Sequence, residues 1–220
     1  MWFAGPARRA PVAGRPQALR LGFHLAPGMR VGLFGGSFNP VHDGHAHVAE
    51  TAKRRLNLDR VIWMVSPQNP LKSRHETAGL EERLAGARQM ANNGPGMIVT
   101  ALETQLGSAY TIDTIRTLKA RFPGVTFVWI MGADSLATFH RWKGWTQIMH
   151  EAPVAVVSRP WISLKSRFSP AALRFARRRL PSHSAVRLAD TRPPAWAFLF
   201  GRFNFQSSTN LRERLRRSKS

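Results

Sequence analysis

The feature that most constrains this chain is its alternation of short, almost uniformly apolar runs with longer stretches of helical spacing. Residues 31–34, 61–65, 125–131 and 154–157 hold almost no polar side chain. A strand reads this way when both its faces are buried, because alternate side chains point to opposite sides and neither side meets water. Between these runs, Ala46, Ala49, Ala52 and Leu56 recur every three or four residues, as do Leu80, Leu84, Ala87 and Met90, and Ile112, Ile115, Leu118 and Phe122. That spacing predicts helices with one buried face. They are expected from about Asp43, over 77–92 and over 111–122, with a short helix ending at 148–151, a basic one over 171–180 and a final one over 209–217. Further strands are expected at 97–102, 186–188 and 196–200.

Strands alternating with helices predict an α/β class: a Rossmann-like, doubly wound, mostly parallel sheet with helices on both faces, in a single domain with a C-terminal helical end. In such sheets ligands bind beyond the carboxyl ends of the strands. The stretches to search are therefore 35–45, 66–72, 132–145 and the loop before Thr209.

Composition narrows the function classes. The 220 residues contain no cysteine, which removes disulfides, thiolate-held zinc, iron–sulfur clusters and thiol catalysis. This fits a reducing compartment, and a cytoplasmic location is expected. No apolar run is long enough for a membrane-spanning helix or a signal peptide. The formal charge is +21, which first suggests a nucleic-acid binder. The charge is unevenly spread, however. Residues 1–30 carry five Arg and no acid, 31–158 carry 13 basic against 10 acidic residues, and 159–220 carry 15 basic against two acidic ones. Residues 1–29, rich in Pro, Gly, Ala and Arg, read as a disordered basic leader. Residues 30–217 form the expected domain and 218–220 a tail.

Gly35-Gly36-Ser37-Phe38-Asn39-Pro40-Val41-His42-Asp43-Gly44-His45 follows the first strand. Two glycines permit a tight turn close to a ligand. The helix after them directs its free N–H groups and positive dipole end at the same place, which favours phosphate. His42 and His45, three apart at that junction, can donate to phosphate oxygens and offset charge building on them. The pattern is neither G-x-G-x-x-G nor the G-K-[ST] loop. Gly36 to His45 instead resembles the H-x-G-H signature of the nucleotidyltransferase superfamily. Its wording is similar to that of the bacterial nicotinate-nucleotide adenylyltransferase family.

Five further segments carry the resemblance, which spans about residues 31–215. Asn69-Pro70-Leu71-Lys72 matches a family segment whose Lys lies near the triphosphate. Ser108-Ala109-Tyr110-Thr111 opens a helix, and the family's Thr there lies at the nicotinate carboxylate; from the residues alone Thr111 is also a good N-cap. Gly132-Ala133-Asp134-Ser135-Leu136 and Trp142-Lys143-Gly144-Trp145 follow a strand. There Asp134 can accept from ribose hydroxyls or help hold a cation, and the resemblance implies that Trp142 lies near the pyridine ring, with Trp145 assigned to packing. Ser207-Ser208-Thr209-Asn210-Leu211-Arg212 resembles the family's phosphate-binding helix start, with Gln206 replacing its usual apolar residue.

The resemblance implies transfer of AMP from ATP to nicotinate mononucleotide, by direct in-line attack with no covalent intermediate, in NAD biosynthesis. The expected catalytic set is His42, His45, Lys72 and Arg212. Gly35, Gly36, Ser37, Phe38, Ser207, Ser208 and Thr209 join His42, His45 and Arg212 at ATP, and Asn39, Thr111, Asp134 and Trp142 face the mononucleotide. Mg²⁺ is expected to enter with ATP, with no metal site of the protein's own. Alternatives are another acceptor, nicotinamide mononucleotide or phosphopantetheine, and, as a lesser one, a nucleic-acid-binding protein on the same fold. Oligomeric state is not legible.

Overall fold

The computed structural model describes residues 22–67, 78–91, 94–108, 110–158 and 166–200. Seven strands form one sheet: β1 (Arg30–Gly36), β2 (Arg60–Val65), β3 (Met97–Thr100), β4 (Thr126–Gly132), β5 (Val154–Val157), β6 (Arg179–Leu180) and β7 (Trp196–Leu199). Their order is β3-β2-β1-β4-β5-β7-β6, and every neighbouring pair is parallel. Leu33 of β1 is level with Ile62 on one side and Trp129 on the other, and Phe34 with Trp63 and Ile130.

The apolar runs divide between two cores, as period-two alternation requires. On β4, Phe127, Trp129 and Met131 enter one core and Val128 and Ile130 the other. Helices α1 (Asp43–Arg55) and α2 (Leu80–Ala91) cover one face through Val48, Ala49, Ala52, Leu84 and Ala87. The other face is covered by α3 (Leu102–Leu106), α4 (Thr111–Arg121), α5 (Ala133–Thr138), α6 (Trp145–Glu151) and α7 (Pro170–Arg174). The sheet is thus the doubly wound arrangement expected, and parallel throughout.

Three expectations are corrected. Residues 186–188 are not a strand; they end a 3-10 helix over Ser182–Leu188, in which Ala185 and Leu188 are buried and Val186 is exposed. Burial there recurs at three residues rather than two. The basic helix over 171–180 breaks early: α7, capped by Ser169 Oγ accepting from Ala172 N at 3.3 Å, gives way to a 3-10 turn at Ala176–Arg178 and then β6. Phe175 O accepts from Arg178 N and from Trp196 Nε1, which leaves the next amide free to join the sheet. Arg179 instead lies over the Trp196 and Phe198 rings, at 5.4 and 5.7 Å. Third, the packed chain begins before residue 30. Leu25 is buried in the core, Phe23 and Met29 pack against it, and Gly28 N donates to Gly124 O. Residues 22–29 are therefore not a disordered leader.

Candidate active site

β1 and β4 are sheet neighbours, with β2 and β3 lying to one side of them and β5, β7 and β6 to the other. That reversal of direction opens a crevice beyond their carboxyl ends, where Gly36 and Gly132 stand. The two glycines that end β1, Gly35 and Gly36, do not make the turn expected of them. Gly35 and Gly36 keep strand register with Met64 and Val65. Gly35 is required by close approach, because a Cβ there would stand 2.6 Å from Cη2 of the buried Trp129 indole. The left-handed backbone falls on Phe38 instead, at φ 45°. Such a residue costs about 1–3 kcal/mol. Its ring is buried, stacked on Trp63 and edge-on to Phe34, with 5.3 Å between centroids in each case. A cis Asn39–Pro40 peptide follows.

The chain then enters α1 through a reciprocal cap built from the two histidines. His42 is the N-cap, and its Nδ1 accepts from Gly44 N at 3.0 Å. His45, at the third helical position, accepts at Nδ1 from His42 N at 3.3 Å. This is the capping-box geometry with imidazole in both roles. An Nδ1 that accepts carries no proton, so each neutral ring carries its proton on Nε2. The backbone therefore fixes the tautomer, with the ring proton on Nε2. The rings lie 3.9 Å apart, with His45 held against Phe38 at 5.0 Å. Two imidazoles at the positive dipole end of a 13-residue helix suit a phosphate.

Asp134 lies at the second position of α5, directly beyond β4, and is exposed on the same edge. Asn39 is buried, and its Oδ1 accepts from Ala78 N at 3.4 Å. Thr111 is not the N-cap; Tyr110 holds that position and Thr111 is the first helical residue. Ser108 closes this junction, with Oγ accepting from Tyr110 N at 3.2 Å and donating to Asp113 Oδ2 at 2.7 Å. Trp142 is half-buried, edge-on to Trp129 and Phe139 at 6.2 and 5.4 Å, and Trp145 packs on Phe139 and Phe175. Gly144 (φ 66°) lets this turn close on Ile112 of α4. Lys143 Nζ lies 3.9 Å above the Tyr110 ring, so two segments far apart in the sequence meet at one place. Lys72, Ser207, Ser208, Thr209 and Arg212 lie outside the described residues.

Two buried charges beside these segments were missed in the sequence. Arg83, on α2, is 4 % exposed and donates to four main-chain carbonyls. Its signal was position: it falls between Leu80 and Ala87 at helical spacing, on the apolar stripe. Glu103, on α3 just past β3, is also 4 % exposed, and burial pushes its carboxyl up to about 7. Among the described residues no three His, Asp or Glu side chains gather as a metal site would require. Residues 166–200 contain seven Arg and one acid, Asp190, which pairs with Arg30 at 2.9 Å.

A parallel sheet whose switch point presents a tautomer-fixed His-x-Gly-His pair at a helix start defines a nucleotidyltransferase-class α/β protein. Comparison with known proteins agrees. The family model described as cytidylyltransferase-like matches residues 33–214. A protein of Caulobacter sp. (strain K31) named "Probable nicotinate-nucleotide adenylyltransferase" is 70% identical over 186 residues, covering 84% of this chain and 98% of that one. A relative of the same name from Rhizobium meliloti (strain 1021) is 52% identical over 184 residues, covering 84% and 97%. A Plasmodium falciparum nicotinic acid mononucleotide adenylyltransferase solved with NaAD shares the fold, with TM-score 0.64 at 16% identity over 84% of this chain and 83% of that one. The chain belongs to the cytidylyltransferase-like family and, within it, to the nicotinate-nucleotide adenylyltransferases.

Proposed function

We infer that this chain transfers AMP from ATP to nicotinate mononucleotide, giving nicotinate adenine dinucleotide and pyrophosphate, a step of NAD biosynthesis. The observation that carries the chemistry is the histidine cap, with two Nε2 donors fixed at the start of α1. A 5′-phosphate oxygen of the mononucleotide attacks the α-phosphorus of ATP, and the bond from that phosphorus to the bridging oxygen of pyrophosphate breaks. Both reactants are polyanions, so positioning and charge neutralisation supply most of the acceleration. His42 and His45 donate to the α- and β-phosphate oxygens as charge shifts towards the leaving group. Lys72 and Arg212 add fixed positive charge, and Ser207, Ser208 and Thr209 donate hydroxyls to the same phosphates. Gly35 to Phe38 form the floor of the ATP site.

On the mononucleotide side, the start of α4 at Thr111 receives the nicotinate carboxylate, where the helix dipole favours an anion. Trp142 stacks on the pyridine ring, while Asn39 and Asp134 hold the sugar. Mg²⁺ enters as part of the ATP complex, held by phosphate oxygens and water. No helix among the described residues is long and apolar enough to cross a membrane. A cytoplasmic site of action is our reading.

The deciding experiment supplies ATP with nicotinate mononucleotide, nicotinamide mononucleotide or phosphopantetheine in parallel and follows pyrophosphate release. Preference for the nicotinate form by at least tenfold in kcat/KM is expected. Equal use of the amide form, or turnover only with phosphopantetheine, would overturn the acceptor assignment.

A further inference from the structure

An arginine as buried as Arg83 ordinarily faces a carboxylate. Among the described residues none pairs with it. Its guanidinium instead holds main chain from three separate stretches. Nε donates to Ala78 O at 3.0 Å, Nη1 to Ser37 O at 2.9 Å and to Ser66 O at 2.7 Å, and Nη2 to Pro67 O at 2.7 Å. Ser37 begins the histidine-bearing turn, Ser66 and Pro67 are the exit of β2, and Ala78 is the entry to α2. Asn39 adds a second tie through Ala78 N, and Ser66 N donates to Gly36 O at 3.0 Å. A planar fork of five donors is suited to holding several acceptors in fixed relative positions, and an ammonium is not.

We propose that Arg83 is a positioning residue for the transfer reaction: it locks the turn at Ser37 against the ends of β2 and α2, and so sets where His42 and His45 stand relative to the polyphosphate. Desolvation disfavours the charge at this depth, and the four carbonyl dipoles offset it. Arg83 donates to main chain at every one of these bonds, so it acts through the turn and not on the reacting atoms.

The proposal rests on the adenylyl-transfer reading above, and one variant series separates the two. Arg83→Lys keeps the charge and loses most of the fork; Arg83→Met keeps the buried stem and loses all four bonds. Leu188→Ala, in the buried 3-10 helix on the same side of the sheet as α1, is the control for destabilisation alone. All are assayed well below their unfolding temperatures, with wild type and His45→Ala beside them. Both Arg83 variants are expected to lose about a hundredfold in kcat with KM for each substrate changed less than fivefold, because a displacement near 1 Å costs about that. Leu188→Ala is expected to keep wild-type kcat. A folded Arg83→Lys or Arg83→Met with kcat within threefold of wild type overturns the positioning role. So does a Leu188→Ala loss that matches theirs at equal stability. Wild type without transfer activity, or an active His45→Ala, refutes the underlying reading instead.

Discussion

His42 is assigned two tasks that one substitution can separate. As N-cap it satisfies the Gly44 amide through Nδ1 at 3.0 Å, and in the proposed reaction it donates from Nε2 to phosphate. Replacing it with Ala removes both. Loss of an N-cap side chain costs about 1 kcal/mol. In a chain of 220 residues that lowers Tm by about 2–4 °C. His42→Asn separates the tasks, since the Asn Oδ1 sits where Nδ1 sits and is itself among the best caps. Nothing in Asn reaches the Nε2 position. The Asn variant should therefore unfold within about 1 °C of wild type while kcat falls about 10²–10³-fold, the usual loss for one preorganised transition-state donor. The Ala variant should show the same kcat loss together with the lower Tm. Pyrophosphate release at saturating substrate gives kcat, and calorimetry gives Tm. If His42→Asn restored both turnover and Tm, the ring would be a cap and nothing more, and the donor role would be refuted.

The other predictions concern the pyridine side, the buried acid and the strand glycine. Trp142→Ala should raise KM for nicotinate mononucleotide about two- to tenfold and leave KM for ATP nearly unchanged, since a stacked ring is worth about 0.5–1.5 kcal/mol; an equal change in both constants would contradict the stacking role. Glu103 titrates near 7 when folded against 4.5 when exposed, so the folded state binds the extra proton in between and stability falls as pH rises through that window. The full loss is about 3 kcal/mol, and urea unfolding of Glu103→Gln at pH 5 and pH 8 should lack that part of the pH slope; slopes identical to wild type would show that the carboxyl is solvated. Gly35→Ala should lower stability by about 1–3 kcal/mol through overpacking on Trp129 and reduce turnover as β1 shifts. An unchanged Tm and kcat would mean that the indole moves aside freely.

Much of this protein is legible from its residues in order. Apolar runs such as 61–65 and 154–157 mark strands buried on both faces, because in a parallel sheet covered by helices every side chain of a strand lies in one of two cores. The histidine motif is legible for a similar local reason: cap, turn and helix start are all set within eleven consecutive residues, Gly35 to His45. Local reading failed where a distant partner intervened. The helix expected at 171–180 ends at Arg174, and the chain beyond it is held by distant partners, Trp196 Nε1 donating to Phe175 O and Arg179 pairing with β7. Leu25 looked like part of a charged leader, yet it fills the core.

The sequence by itself thus determined the fold class and the histidine pair at the start of α1, both properties of periodicity and short spacing. Only the tertiary structure decided what the glycines of β1 are for, since Gly35 answers to an indole 94 residues away in the chain, on β4. It also decided that Arg83 is a buried fastener and not a solvated helix charge. A lone arginine reads as surface until three separate pieces of backbone are seen converging on it, and convergence is a property of the folded chain alone.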